Sequence, residues 1–173
     1  MGPYMGYHVG WKILISTVST RRYKSLLEFG EYEDKSGDIA VSIFERYGYR
    51  NIDRILISDD TKMIKEVIDI ALKKGVDILI FIGGTGVAKD DVTVETLKKF
   101  FDKELPGFNV LYTVYSERQV GVRALSSRAT AGFIKDMLVY ALPGSPNAVQ
   151  LCIEKLILPE AEHLLKIRRG YKH

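Results

Sequence analysis

Ile78-Leu79-Ile80-Phe81-Ile82-Gly83-Gly84-Thr85-Gly86, followed after three residues by Asp90-Asp91-Val92-Thr93, is the most informative stretch of this chain. Five consecutive apolar residues of strand length read as a β-strand buried on both faces, as in a parallel sheet covered by helices. The glycines that follow allow a tight turn and a close approach of backbone to another group. Val92 to Phe101, with Val94, Leu97 and Phe101 facing inward, reads as the next helix.

The same alternation extends outward on both sides. Lys12 to Val18 reads as a first buried strand, and Ser19 to Gly37 as a long polar loop of the kind that is often functional. Ala40, Ile43, Phe44 and Tyr47 form an amphipathic stripe closed by Gly48. Ile52 to Ile57 is a second strand, and Asp59-Asp60-Thr61 offers capping side chains before the helical stripe Ile64, Val67, Ile68, Ala71, which ends near Gly75. Further on, Pro106-Gly107 marks a turn and Gly121 to Leu125 is a candidate helical turn. Ala131 to Ile134 and Met137 to Leu142 flank Lys135-Asp136 as a hairpin. A helix starting at Gly144-Ser145-Pro146 carries Val149, Cys152, Ile153 and Leu156, and Pro159 restarts it into a last helix through Leu165. This order predicts an α/β domain with a mostly parallel sheet and helices on both faces.

The 173 residues are enough for one domain, expected over 11–173 after an N-terminal extension 1–10. Apolar residues at 46% and charged ones at 27% are a soluble balance, and no apolar run is long enough to span a bilayer, so no membrane association is expected. Met1 to Gly10 lacks a basic start followed by an apolar block, so no secretory signal is expected. A single cysteine, Cys152, excludes an intrachain disulfide and fits a cytoplasmic location. It falls on an apolar face and reads as a small buried hydrophobe. A net charge of +3 suits a polyanionic small molecule and does not by itself indicate nucleic acid.

Three loops follow strands in this reading, at Ser58, Gly83 and Pro143, and such a sheet collects them at one edge, where ligands of these folds bind. Gly83-Gly84-Thr85-Gly86 can present backbone N–H groups to an anion at a helix start, or can simply be a flexible turn. No Gly-Lys-Ser/Thr follows it, and Lys89 stands where a dinucleotide fingerprint needs a third glycine. Asp90 or Asp91 is either the cap of the next helix or a carboxylate for Mg²⁺, and Asp59 poses the same choice. Ser145, after Pro143-Gly144 and before Pro146, is a helix cap or a phosphate ligand, and Ser127-Arg128 adds a hydroxyl and a guanidinium suited to oxyanions. His8, His163 and His173 are scattered without metal-ligand spacing.

Taken in order, these segments resemble the MogA/MoaB molybdopterin-binding family from about Ile13 to Leu165. The carriers are Val18-Ser19-Thr20-Arg21-Arg22, Asp34-Lys35-Ser36-Gly37, Asp59-Asp60, Gly83-Gly84-Thr85-Gly86 with Asp91-Val92-Thr93 and Glu95, Leu105-Pro106-Gly107-Phe108, Ser127-Arg128-Ala129 with Ala131-Gly132, and Leu142-Pro143-Gly144-Ser145-Pro146. The resemblance implies a three-layer α/β/α domain assembling as a trimer or hexamer. It implies Mg²⁺-dependent transfer of AMP from ATP to molybdopterin, with pyrophosphate released and the product passed to a molybdenum-inserting protein. It places catalytic carboxylates at Asp59 and Asp91, with Asp91 holding Mg²⁺. Binding residues are implied at Ser19, Gly83, Gly84, Thr85, Gly86, Thr93, Ser127, Arg128, Pro143, Gly144, Ser145 and Pro146. The chain departs from the family pattern at Thr20, Asp90, Gln119 and Ser126; an acidic residue at 90 weakens attraction for polyphosphate unless Lys89 or Mg²⁺ compensates. Those departures leave two alternatives, a pterin-binding oligomer without transfer chemistry and, from Asp90-Asp91, a CinA-like nucleotide pyrophosphatase.

Overall fold

A computed structural model describes residues 10–170. Nearly all of the expected extension 1–10 and the last residues of the basic tail lie outside the described residues. The strands are β1 (Ile13–Val18), β2 (Ile52–Ile57), β3 (Ile78–Ile82), β4 (Lys103–Glu104), β5 (Thr130–Ile134) and β6 (Met137–Leu142). They form one sheet in the order β2-β1-β3-β6-β5-β4. β2, β1, β3 and β6 are mutually parallel, and β5 runs antiparallel between β6 and β4. Every residue of β1, β3, β5 and β6 is buried, as expected for interior strands of a sheet covered on both faces. β2 exposes Asp53 and Arg54 along one edge, and charges there disfavour pairing with another strand.

The helices are α1 (Thr20–Phe29), α2 (Lys35–Arg46), α3 (Thr61–Lys74), α4 (Thr93–Lys98), α5 (Pro106–Val120), α6 (Pro146–Cys152) and α7 (Leu158–Arg168). Alternate strand residues face opposite ways. Ile13, Ile15, Ile80 and Tyr140 therefore pack in one core with Phe44 of α2, Phe108 of α5, Val149 of α6 and Leu165 of α7. Leu14, Leu79, Phe81 and Val139 pack on the other side with Ile64 and Ile68 of α3 and Leu97 of α4. The expected three-layer arrangement is therefore present. Cys152 is fully buried in the first core, and burial pushes its thiol well above the usual range.

Four local expectations need correction. The stretch 19–37 is not a loop: it holds α1 and the start of α2. α1 buries no residue, so no apolar stripe announces it; it stands on its ends. The Ser19 hydroxyl accepts from the Arg22 N–H, and Gly30 closes the helix with φ 76°. Pro106 opens α5 rather than a turn, because proline at a first helical position loses only an N–H that has no partner there anyway. α5 is hard to read by periodicity because its outward side carries Val110, Leu111 and Val114 while Phe108 and Tyr112 face inward. The helix expected over 92–101 is shorter, ending at Lys98. Finally, α6 and α7 are not separated at Pro159. They are joined by a π-helical turn, Ile153–Ile157, which accommodates the proline's missing donor by widening the helix.

No helix of the described residues is long and apolar enough to cross a membrane.

Candidate active site

Because β1, β2, β3 and β6 are parallel, their carboxyl ends share one edge of the sheet. The loops leaving β3 and β6 lie side by side there, joined by the Gly83 N–H donating to the Leu142 carbonyl at 2.9 Å. Between them and α5 opens a cleft of about 450 Å³, the size of a small-molecule site. Gly83, Gly84, Thr85, Gly86 and Asp91 form one wall, Pro143, Gly144 and Ser145 a second, and Ser127 contributes from between. Most of the residues singled out from sequence are thus brought together. Ser19, Asp59, Thr93, Arg128 and Pro146 lie outside the cleft's lining.

The opposite wall was not foreseen. It consists of Tyr112, Ser116 and Val120 of α5, with Arg123, Ala124 and Ser126 from the short 3₁₀ turn Gly121–Ser126. Phe108, Tyr112 and Ser116, spaced by four, are the signal that could have found it.

The glycine loop is built without freedom for side chains. Gly83 has φ 109°, and a Cβ there would collide with the Val18 carbonyl oxygen at the end of β1. At Gly84, φ 65°, a Cβ would run into the Thr93 hydroxyl and lie 3.1 Å from Asp59 Oδ1. Thr93 N–H donates to the Gly84 carbonyl at 3.0 Å, so the loop folds back on the first residue of α4. Asp91 Oδ2 accepts from the Ala88 N–H at 3.0 Å and closes the loop's second half.

The choices left open between cap and site now divide. The cap of α3 is Asp60, whose carboxylate accepts from the Met63 N–H at 2.9 Å. Asp59 does not cap that helix. Its Oδ2 accepts from the Thr20 N–H at 2.8 Å and the Thr20 hydroxyl at 2.9 Å, pinning the start of α1, while Oδ1 stays beside Gly84. Neither Asp90 nor Asp91 caps α4, whose N-cap position is Val92, with no side-chain cap hydrogen bond. Ser145 does cap α6: its Oγ accepts from the Ala148 N–H at 3.3 Å, which leaves the hydroxyl proton free to donate elsewhere.

Arg128 does not extend into the cleft. Its Nε donates to the carbonyls of Gly86 at 2.9 Å and Thr85 at 3.3 Å, and its terminal nitrogens reach Gly86 O and the Glu95 carboxylate. The guanidinium therefore fixes the glycine loop from behind, and it holds the Glu95 carboxyl below the usual range. Among the described residues, the buried hydroxyls of Thr93 and Ser127 lack any hydrogen-bond partner. Buried hydroxyls are normally satisfied, and of these two Ser127 belongs to the cleft's lining whereas Thr93 packs against Gly84 outside it.

A brace holds the second loop. Ser36 Oγ donates to the Gly144 carbonyl at 2.7 Å. Ser36 is placed by Asp34, the cap of α2, which accepts from the Thr17 hydroxyl at 2.6 Å, the Gly37 N–H at 3.0 Å and Arg54 at 2.9 Å. Burial raises the Asp34 carboxyl, but these three donors outweigh it and hold it below its ordinary value.

Among the described residues, no cluster of three or more His, Cys, Asp or Glu could grip a metal unaided. Mg²⁺ needs less than that, because it binds one or two carboxylates together with substrate phosphates and water. Asp91 and Asp59, each with one oxygen engaged and Oδ1 left over, fit such a role.

The family described as "Probable molybdopterin binding domain" matches residues 14–163. The chain is 39% identical over 161 residues to a "Probable molybdopterin adenylyltransferase" of Methanocaldococcus jannaschii, covering 92% of this chain and 95% of that one. It is 36% identical to "Molybdenum cofactor biosynthesis protein B" of Bacillus subtilis, over 77% of this chain and 79% of that one. In structure it is similar to the tungsten cofactor synthesizing protein MoaB from Pyrococcus furiosus, with a TM-score of 0.82 at 34% identity, covering 94% of this chain and 99% of that one.

Proposed function

The chain belongs to the molybdopterin-binding domain family, and on that footing we propose that it is a molybdopterin adenylyltransferase acting in molybdenum-cofactor biosynthesis. The observation that carries the reading is the cleft itself. Gly83 to Gly86, Asp91 and the Pro143-Gly144-Ser145 loop line it side by side, opposite α5, and the unpartnered Ser127 belongs to its lining. In the reaction, an oxygen of the terminal phosphate of molybdopterin attacks the α-phosphorus of ATP. A new P–O–P bond forms, the bond from the α-phosphorus to the bridging oxygen breaks, and that oxygen leaves with pyrophosphate.

The protein's part is positioning and charge neutralisation. Backbone N–H groups of the glycine loop and the hydroxyls of Ser127 and Ser145 donate to phosphate oxygens. Asp91, with Asp59 behind Gly84, would hold Mg²⁺, which when bound offsets the charge of the triphosphate. Thr93 and Arg128 support the glycine loop, and Ser19 and Pro146 shape the helix starts beside it.

Assembly as a homotrimer or hexamer fits the apolar surface of α5. Val110, Leu111 and Val114 are exposed there, and Val122 and Leu125 continue the surface at 79% and 81% exposure. A cytoplasmic location and handover of the product to a molybdenum-inserting protein complete the proposal.

Incubation with molybdopterin and Mg-ATP yields adenylylated pterin and pyrophosphate; absence of both products with competent pterin refutes the assignment. Asp91→Asn retains an oxygen for the Ala88 N–H and loses the charge, so turnover falls on the order of a hundred-fold with little change in melting. A second reading, a pterin carrier without transfer chemistry, is favoured by Thr20, which occupies one oxygen of Asp59. Calorimetry separates the two, since tight pterin binding without ATP-dependent turnover fits only the carrier.

A further inference from the structure

A cleft that receives a phosphate monoester and a triphosphate must offset several negative charges. Its lining holds two charged side chains, Asp91 and Arg123. Asp91 and its exposed neighbour Asp90 make the glycine-loop wall acidic apart from Lys89, so any positive side chain that adds to the Mg²⁺ proposed there has to come from another wall. Arg128 cannot supply it, because its guanidinium is spent on the carbonyls of Thr85 and Gly86 and on Glu95.

Arg123 stands on the facing wall, in the turn between α5 and β5. Among the described residues its guanidinium has no ion pair and no hydrogen bond, while its carbonyl accepts from Ser126 Oγ at 3.0 Å. The turn is nevertheless fixed. Gly121, with φ 63°, ends α5 and donates its N–H to the Glu117 carbonyl, and Ala124 beside Arg123 is buried. Val122 and Leu125 on either side are almost fully exposed, whereas Arg123 and Ala124 line the cleft. A rigid backbone thus presents an uncommitted planar guanidinium across the cleft from the loop donors, a geometry suited to bidentate contact with phosphate oxygens.

We propose that Arg123 is the phosphate-anchoring residue of the cleft, gripping either the terminal phosphate of the pterin or the polyphosphate of the nucleotide. This assignment rests on the adenylyl-transfer reading for the identity of its ligands, and on the geometry alone for the anion site. It gives Arg123 the oxyanion contact that the sequence pattern assigned to Arg128.

The test compares the wild type with Arg123→Ala and Arg123→Lys. Binding of inorganic tripolyphosphate, ATP and molybdopterin is measured by calorimetry, and KM and kcat for both substrates by turnover. Arg123→Ala should weaken tripolyphosphate binding and raise the KM of one substrate about ten-fold, the size of a lost charge-assisted hydrogen bond. The substrate affected identifies which phosphate is held. Arg123→Lys should recover part of the loss, the difference from wild type should shrink as salt rises, and melting should not change. Wild-type affinities for all three ligands and wild-type KM values for both substrates in Arg123→Ala overturn the proposal and leave the enzyme assignment intact. Arg123-dependent binding of tripolyphosphate by a protein that does not adenylylate molybdopterin does the reverse: the anion site stands and the enzyme assignment falls.

Discussion

Replacing Gly83 by alanine tests the account of the glycine loop most directly. At φ 109° the backbone lies where side-chain-bearing residues rarely go, a strain of about 1–3 kcal/mol. The added methyl would also lie well inside 3.0 Å of the Val18 carbonyl oxygen. Neither partner can retreat cheaply. Val18 pairs with Ile57 of β2, and Ile82, directly before Gly83, pairs with Thr17 of β1 and Leu142 of β6. Forcing the ends of two central strands apart resembles overpacking a core, a further cost of about 1–3 kcal/mol. Together the two effects remove about 2–6 kcal/mol from a stability of about 5–15 kcal/mol. For a domain of this size that lowers the melting temperature by roughly 5–20 °C. Thermal unfolding followed by circular dichroism measures it, with Gly107→Ala as comparator. Gly107 lies in α5 with open space where a Cβ would go, so alanine there leaves melting unchanged or raises it slightly. If Gly83→Ala melts within about 2 °C of the wild type, the loop is not constrained as described.

Three further outcomes follow from the packing. The Asp34 carboxyl is held below its unfolded value, so its contribution is fully present above that value and is lost as pH falls through the folded one. Thr17→Val removes one of the donors responsible and should cost about 1–3 kcal/mol near neutrality in denaturant titrations, shrinking as acid protonates the Asp34 carboxylate; an equal cost at neutral and acidic pH contradicts the network. Thr93→Val removes a buried hydroxyl that has no partner, so the free protein should keep its stability or gain about 1 kcal/mol while ATP binding weakens. A stability loss above about 1 kcal/mol in denaturant titrations would show that the hydroxyl is already satisfied. Leu111→Lys places a charge on the exposed apolar face of α5 and should shift the proposed oligomer towards monomer in analytical ultracentrifugation; an unchanged mass removes this face from the proposed interface.

Elements with a face to bury were legible in the sequence. Ile78 to Ile82 and Met137 to Leu142 are buried along their whole length, and α3 shows its stripe at Ile64, Val67, Ile68 and Ala71, because burial imposes a period on the residues that experience it. α1 buries nothing and left no such trace; it exists through Ser19, Asp59 and Gly30, local devices that a pattern search passes over. α5 failed for the opposite reason, being apolar on its outward side as well as its inward one.

The site divides in the same way. The glycine loop, Asp91 and Pro143-Gly144-Ser145 could be named in advance because each follows a parallel strand, and parallel strands deliver their following loops to a common edge whatever the side chains. Sequence alone therefore determined the sheet, the edge and the loops. The tertiary structure decided what each polar group is doing there: Asp60 rather than Asp59 caps α3, Arg128 is turned onto the loop's own carbonyls, and Arg123 faces the opening. A side chain's hydrogen-bond partners are often distant in the chain, as with Ser36 and Gly144 or Asp59 and Thr20, and only folding brings those pairs within reach.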